Sequence, residues 1–126
     1  MSADWRILRD VNSGVVILPR VRLCISHWCH FRGLQLVRHL PDDEGLLFVR
    51  DAEGVSSTAI HMFFMFFSIA VVWLDAKGKI VDKQLAIPWR PLYSPRKAAQ
   101  YYLEANPFLL EKVEIGDVLR FDEITE

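Results

Sequence analysis

The sequence predicts a mainly β protein, a single jelly-roll-like antiparallel β-sandwich or barrel with one or two short α-helices. Three observations favour this class: short β-branched and aromatic runs recur along the chain, turn residues separate them at close spacing, and helical periodicity is confined to two segments. The 126 residues suffice for one hydrophobic core but not for two. We therefore expect a single domain over residues 1–126.

Seven runs have strand character and are bounded by turn signals. They cover residues 15–18, 21–25, 46–49, 60–67, 69–74, 79–86 and 118–121. The tetrad Asp75-Ala76-Lys77-Gly78 predicts a hairpin turn between the fifth and sixth runs, because aspartate starts turns and glycine adopts positive φ. The similar tetrad Asp51-Ala52-Glu53-Gly54 predicts another turn.

Two segments are predicted to be helical. The first covers residues 27–39 and ends before Leu40-Pro41. The second covers residues 94–104 and begins with Ser94-Pro95, a favourable cap and first-turn pair. Residues 109–113 are expected to add a short helical turn.

The longest apolar run extends from Ile60 to Leu74. As a helix it would span roughly 22 Å, short of the ~30 Å hydrocarbon core of a bilayer. Its aromatic and β-branched content favours two strands with a break near Ser68. Phenylalanines on both faces of the first strand imply either a doubly buried central strand or an exposed apolar patch.

Composition and charge exclude several classes of protein. The chain is 52% hydrophobic, which excludes disorder, and its net charge of −1 argues against binding of nucleic acid through bulk charge. No secretory signal is visible at the start, so we expect a cytoplasmic protein without a membrane partner. Cys24 and Cys29 are too few for a disulfide scaffold and are expected to be reduced thiols.

One cluster contains the residue types that zinc prefers, namely Cys24, His27, Cys29 and His30. Structural zinc sites usually combine two ligand pairs separated by a loop, and this cluster is too compact to surround one ion. We therefore expect no metal and no cofactor.

Several short motifs follow one another in an order that resembles a known family. They are Arg32-Gly33-Leu34, Gly45-Leu46-Leu47-Phe48, Ile60-His61-Met62-Phe63-Phe64-Met65, Val71-Val72-Trp73-Leu74-Asp75, Pro88-Trp89-Arg90, Leu103-Glu104 and Ile115-Gly116-Asp117-Val118-Leu119. The chain resembles the DUF192 family of small single-domain proteins without an assigned biochemical function, from about residue 19 to residue 121. The resemblance implies a jelly-roll-like sandwich. Family members typically carry an acidic residue where this chain has Ala70.

Six residues are candidates for ligand binding: Arg32, Arg38, His61, Trp89, Arg90 and Glu104. Arginine suits bidentate capture of a carboxylate or phosphate, and Trp89 beside Arg90 could recognise a ring or an anion. The structural alternative is that Arg32 and Arg90 form ion pairs with Glu104, Asp75 or Glu44 and tie loops to the sandwich.

The leading function hypothesis is a non-enzymatic binding module for a small anionic or aromatic ligand, or for a partner protein. One alternative is a hydrolase with His61 as acid or base, although no nucleophile motif accompanies it. Another is a protein–protein interaction module that uses the surface from Phe63 to Phe67. We expect a monomer or a weak homo-oligomer.

Overall fold

The protein forms one curled, mainly β sheet. A computed structural model describes residues 4–25, 29, 34 and 39–124. The helix predicted over residues 27–39 therefore falls outside the described residues except at Cys29, Leu34 and His39, and so do the candidates Arg32 and Arg38.

Seven strands account for the described secondary structure, together with one turn of 3-10 helix at Ser56–Thr58 and one short helix, α1, at Leu109–Lys112. The strands are β1 (Trp5–Asp10), β2 (Val16–Cys24), β3 (Glu44–Gly54), β4 (Ile69–Leu74), β5 (Ile80–Ala86), β6 (Ala99–Ala105) and β7 (Leu119–Glu123). The mainly β prediction is confirmed.

All seven strands belong to one half-barrel sheet in the order β5-β4-β6-β3-β2-β1-β7. Every neighbouring pair is antiparallel except β2 and β3, which run parallel. The six residues of β4 are all buried, as expected for an apolar strand inside the sheet. The jelly-roll arrangement remains a prediction.

Alternation along the strands divides the apolar side chains between two cores. The first core lies on the sheet face of Ile69, Val71 and Trp73, and also contains Phe48 and Tyr102. The second core lies on the opposite face. It includes Ala70, Val72, Leu74, Leu8, Leu103 and Leu109. The position where family members carry an acidic residue is therefore, in this chain, a fully buried alanine of the second core.

The helix predicted over residues 94–104 is wrong. Its second half is β6, which hydrogen-bonds to β3 on one side and to β4 on the other. Its first half lies beside β5, where the Ser94 carbonyl accepts a hydrogen bond from Gln84 Nε2 and the Arg96 backbone nitrogen donates to Asp82 Oδ2. Alanine is a strong helix former, but the helix propensities of Ala98 and Ala99 amount to less than about 1 kcal/mol each and are outweighed by pairing with two strands.

The strand β1 was not predicted. It is the first strand of the chain, and it lies in the sheet beside the last one, β7. It pairs with β2 and with β7. Its sequence, Trp5-Arg6-Ile7-Leu8-Arg9-Asp10, carries only one fully buried side chain, that of Leu8. The alternation that identifies a half-buried strand is therefore weak at this position.

The two tetrads with Asp, Ala and Gly have different roles. Asp75 closes the predicted hairpin, because its Oδ1 accepts hydrogen bonds from the backbone nitrogens of Lys77 and Lys79. Gly78 has a φ of +85° at that turn. The turn predicted at residues 51–54 is wrong, since these residues are the last four of β3.

The expectation of reduced thiols is also wrong, because Cys24 and Cys29 form a disulfide with a Cα–Cα distance of 5.5 Å. Cys24 is the last residue of β2 and is fully buried in the first core, whereas Cys29 is partly exposed. Neither sulfur is a thiolate in this form, so neither can serve as a zinc ligand. The remaining two members of the proposed cluster, His27 and His30, lie outside the described residues.

Within the part of the chain that the structure describes, no helix has the length and apolarity needed to cross a membrane.

Candidate functional site

The candidate site lies where two irregular segments pair at one end of the β4–β5 hairpin. Ile60 and Tyr93 exchange backbone hydrogen bonds of 2.8 and 2.9 Å. Two residues along, the Met62 nitrogen donates to the Arg90 carbonyl at 2.9 Å, and the Met62 carbonyl accepts from the Trp89 nitrogen at 2.7 Å. We call residues 60–67 the strap and residues 87–93 the loop.

The strand predicted over residues 60–67 is wrong except for an isolated bridge at Ile60. Ile60, Met62 and Met65 of the strap are buried in the first core. His61, Phe63, Phe64 and Phe66 point outward and are exposed. Of the two alternatives left open by the phenylalanines, the structure therefore favours the exposed apolar patch over a doubly buried strand.

Trp89 of the loop meets the phenylalanines of the strap. The rings of Phe64 and Trp89 are 5.3 Å apart and edge-on, and those of Phe66 and Trp89 are 6.4 Å apart. Phe63 of the strap is also exposed, at 40%. We call these four residues, Phe63, Phe64, Phe66 and Trp89, the aromatic patch. Edge-on pairs of this kind are favourable arrangements of aromatic rings.

Two members of the aromatic patch have an unusual backbone. Phe64 has a φ of +62° and Trp89 a φ of +68°, and within the described residues these are the only residues other than glycine with positive φ. A bulky side chain rarely adopts this conformation, which costs of the order of 1 kcal/mol or more at each residue. The surrounding hydrogen bonds hold both residues there, and both rings remain about half exposed.

Polar groups border the aromatic patch. His61 Nδ1 accepts a hydrogen bond from the Phe63 backbone nitrogen at 3.2 Å, so a neutral imidazole carries its proton on Nε2. The Arg90 guanidinium lies 4.8 Å from the centre of the Tyr93 ring, a cation–π distance. The Tyr93 hydroxyl in turn accepts a hydrogen bond from the Ile87 nitrogen at 2.9 Å, which closes the loop.

Glu104 lies on β6, one of the central strands, and not at the end of a helix as predicted. It faces the first core between Leu46 of β3 and Val71 of β4, and only 7% of it is exposed. Burial raises the pKa of its carboxyl to about 8. Burial and the nearby Glu104 carboxylate also raise the pKa of Tyr102, whose ring stacks on Phe48.

The structure brings three of the six predicted site residues together: His61, Trp89 and Arg90 lie on the paired strap and loop. Glu104 lies in the middle of the sheet and faces the first core. Arg32 and Arg38 are outside the described residues. The predicted ion-pair partners have other roles where they are described. Asp75 closes the hairpin, and the ion pairs recorded among the described residues involve neither Arg90 nor Glu104.

Sequence reasoning missed Met62 and Tyr93 as the residues that position the site. Met62 fixes both Trp89 and Arg90 through its backbone, and Tyr93 supports the loop through its ring and hydroxyl. The available signal was Pro88 and Pro91 on either side of Trp89-Arg90, because two prolines so close together exclude a regular strand.

The surroundings of His61 and Arg90 define the chemistry that the site can support. A nucleophile for His61 would need a hydroxyl or thiol in hydrogen-bond reach. Among the described residues, the recorded side-chain hydrogen bond of His61 is the one from Phe63. An apolar surface beside a guanidinium can instead hold a ring or alkyl chain together with an anion.

Comparison with known proteins finds relatives along most of the chain. A UPF0127 protein (TK1120) of Thermococcus kodakarensis is 39% identical over 109 residues, covering 85% of this chain and 68% of that protein. A UPF0127 protein of Thermococcus gammatolerans is 38% identical over 117 residues, covering 91% and 74%.

Two solved structures share the fold. One is described as a "putative transcription regulator (R01717)" from Sinorhizobium meliloti 1021, with a TM-score of 0.83, 22% identity and 96% coverage of both chains. The other, a protein of unknown function from Novosphingobium aromaticivorans, has a TM-score of 0.78, 17% identity, and coverage of 92% of this chain and 83% of that one. The profile of the DUF192 family, described as "Uncharacterized ACR", matches residues 10–121. The chain belongs to the DUF192 family.

Proposed function

We propose that this domain is a non-enzymatic binding module for an anionic amphiphile, a molecule with an apolar ring or chain and one anionic group. The apolar part lies on the aromatic patch, and the anionic group pairs with Arg90. One observation carries this proposal: Phe64 and Trp89 both keep an unfavourable positive φ while their rings remain about half exposed. Strain that is maintained without burying the side chain points to use of the exposed ring.

The polar environment supports an anionic ligand over a cationic one. The strap and the loop themselves contain no aspartate or glutamate, although the chain has 16 acidic residues. Arg90 is exposed, and its guanidinium is positioned on the Tyr93 ring without a carboxylate among its recorded partners. A guanidinium held in this way retains its donors for a carboxylate or phosphate.

The experiment compares three ligands with the same ten-carbon chain: decanoate, decanol and decyltrimethylammonium, each below its micelle concentration. Chemical shifts of backbone amides in uniformly ¹⁵N-labelled protein give both the affinity and the location. We expect decanoate to bind most tightly and to shift amides of the strap and the loop. Saturation by decyltrimethylammonium at equal or lower concentration would overturn the proposal.

Matched variants separate the two halves of the site. Trp89→Ala should weaken decanoate and decanol alike, whereas Arg90→Gln should weaken only decanoate. The controls are Ile115→Ala, which removes a side chain that is also 50% exposed, and Lys77→Gln at the hairpin turn. Both lie at the other end of the hairpin and should bind all three ligands like the unmodified protein. Equal losses in the controls would contradict a site at the strap and the loop.

A further inference from the structure

We infer that the amphiphile is a lipid within a bilayer, so that the aromatic patch docks this domain on the surface of an anionic membrane. This inference rests on the proposed function and specifies where the anionic amphiphile is found. The occupant is the interfacial layer of the bilayer, where aromatic rings and arginine side chains are favourable.

The first argument is the distribution of exposed aromatic rings. Among the described residues, the exposed tryptophan and the three exposed phenylalanines all belong to the aromatic patch. Ile87 and Leu92 of the loop add two more exposed apolar side chains, 46% and 61% exposed. Such a concentration on one end of a protein is typical of an interaction surface, since single exposed apolar residues are otherwise scattered.

The second argument is the way the rings are held. The two segments that present them are joined by backbone hydrogen bonds, and Met62 and Met65 anchor the strap in the first core. The rings therefore project from a supported base at one end of the sheet. Shallow insertion of such rings removes apolar surface from water.

The third argument is charge. Arg90 of the loop is exposed, and neither the strap nor the loop contains an aspartate or a glutamate. The contact recorded for its guanidinium is with the Tyr93 ring, so no recorded carboxylate competes with an external anion for it. An anionic surface therefore attracts the segment that carries Arg90, next to the aromatic patch.

The charge of Arg90 also disfavours a second copy of the chain as the occupant. A two-fold interface would place one aromatic patch against another. It would then bring two Arg90 side chains together, and neither the strap nor the loop contains a carboxylate to pair with them. An anionic headgroup layer instead supplies a negatively charged partner for Arg90.

The test measures partition of the full chain onto vesicles of phosphatidylcholine alone and of phosphatidylcholine with 30% phosphatidylserine, by flotation at low and high salt. We expect about fivefold or greater preference for the anionic vesicles, which falls as salt rises, since one surface cation contributes about this factor. Arg90→Gln should remove most of the preference. Trp89→Ala and Phe66→Ala should each lower partition onto both vesicles by about threefold to tenfold or more, from the lost apolar area.

Two further variants guard against misfolding. Trp89→Gly suits the positive φ and should fold even if Trp89→Ala does not, and Trp89→Phe should restore most of the partition. Ile115→Ala and Lys77→Gln serve again as controls, and every variant is first checked for an unchanged near-UV circular dichroism spectrum outside the tryptophan contribution.

The outcomes distinguish this inference from the proposed function. Binding of decanoate without binding of anionic vesicles would overturn the inference and leave the proposed function standing. Equal partition onto both vesicle types would overturn the inference of an anionic membrane. Self-association in analytical ultracentrifugation that Trp89→Gly abolishes, without vesicle binding, would identify a second copy as the occupant and overturn the inference. If the protein binds neither vesicles nor decanoate, both proposals are overturned.

Discussion

The backbone carbonyl of Met62 accepts a hydrogen bond of 2.7 Å from the backbone nitrogen of Trp89. Met62 is 1% exposed and Trp89 is 50% exposed. A residue anchored in the core therefore holds the backbone of a residue whose ring faces solvent. The pair therefore connects the hydrophobic core with the proposed binding surface. Changes at Met62 should act mainly on folding, and changes at Trp89 mainly on binding.

The first prediction concerns the backbone at Trp89. Because its φ is +68°, Trp89→Gly should be more stable than Trp89→Ala by about 1 kcal/mol, measured by urea unfolding. At Ile87, which lies on the same loop without positive φ, the order should be reversed, with alanine more stable than glycine. Alanine more stable than glycine at both positions would mean that the Trp89 backbone is not in the left-handed region.

The second prediction concerns the pH dependence of stability. Burial raises the pKa of Glu104 from 4.5 to about 8, so the folded state keeps a proton that the unfolded state has already released above pH 4.5. This contribution to stability is complete below about pH 4.5 and is lost as the pH rises towards 8, by up to about 1.4 kcal/mol per pH unit.

Glu104→Gln tests that prediction. Its free energy of unfolding should fall less between pH 5.5 and 8 than that of the unmodified protein. Glu111→Gln, at an exposed position on α1, should leave the original slope unchanged. Parallel curves for Glu104→Gln and the unmodified protein would show that this carboxyl is not the titrating group.

The third prediction concerns the disulfide. Closing the short loop between Cys24 and Cys29 should stabilise the fold by about 2 kcal/mol through restriction of the unfolded chain. Cys29→Ser under non-reducing conditions should lower the free energy of unfolding by this amount, and adding dithiothreitol to the variant should change nothing further. Purified protein with two titratable thiols before reduction would contradict the bond.

The environment of the two sulfurs also predicts slow reduction of the folded protein. A thiol can reach the partly exposed Cys29 sulfur, but the reaction must then expel a Cys24 thiolate into the first core, where it is fully buried. Reduction at a fixed dithiothreitol concentration should therefore speed up greatly in urea near the unfolding midpoint. A rate that is independent of urea would contradict this.

The fourth prediction compares two glycines with positive φ. A Cβ at Gly78 would lie 2.6 Å from the Leu119 carbonyl oxygen, whereas one at Gly14 would meet no atom within 4 Å. Both alanine variants experience backbone strain of about 1 kcal/mol, and Gly78→Ala adds about 1–3 kcal/mol from the close contact. Thermal or urea unfolding of both variants measures the difference, and equal losses would mean that the hairpin turn does not approach β7.

Local sequence signals were sufficient for much of the sheet. The runs at residues 69–74 and 79–86 and the tetrad beginning at Asp75 predicted the β4–β5 hairpin closely, because apolar strands and an Asp/Gly turn are encoded within a few residues. The family resemblance, which depends on motif order over most of the chain, was likewise confirmed. The candidates His61, Trp89 and Arg90 lie on adjacent segments, and their role in binding remains a prediction.

Long-range contacts decided the remainder. Ala99–Ala105 reads as helical in isolation, but it became a strand because β3 and β4 offer hydrogen-bond partners on both sides. Continuous apolar residues from Ile60 to Phe67 could not reveal which side chains are buried, and pairing with the loop assigned Met62 to the core and Phe64 to the surface. Alternation carries no information where nearly every residue is apolar. Only the tertiary structure could therefore decide which of these side chains form an exposed aromatic patch.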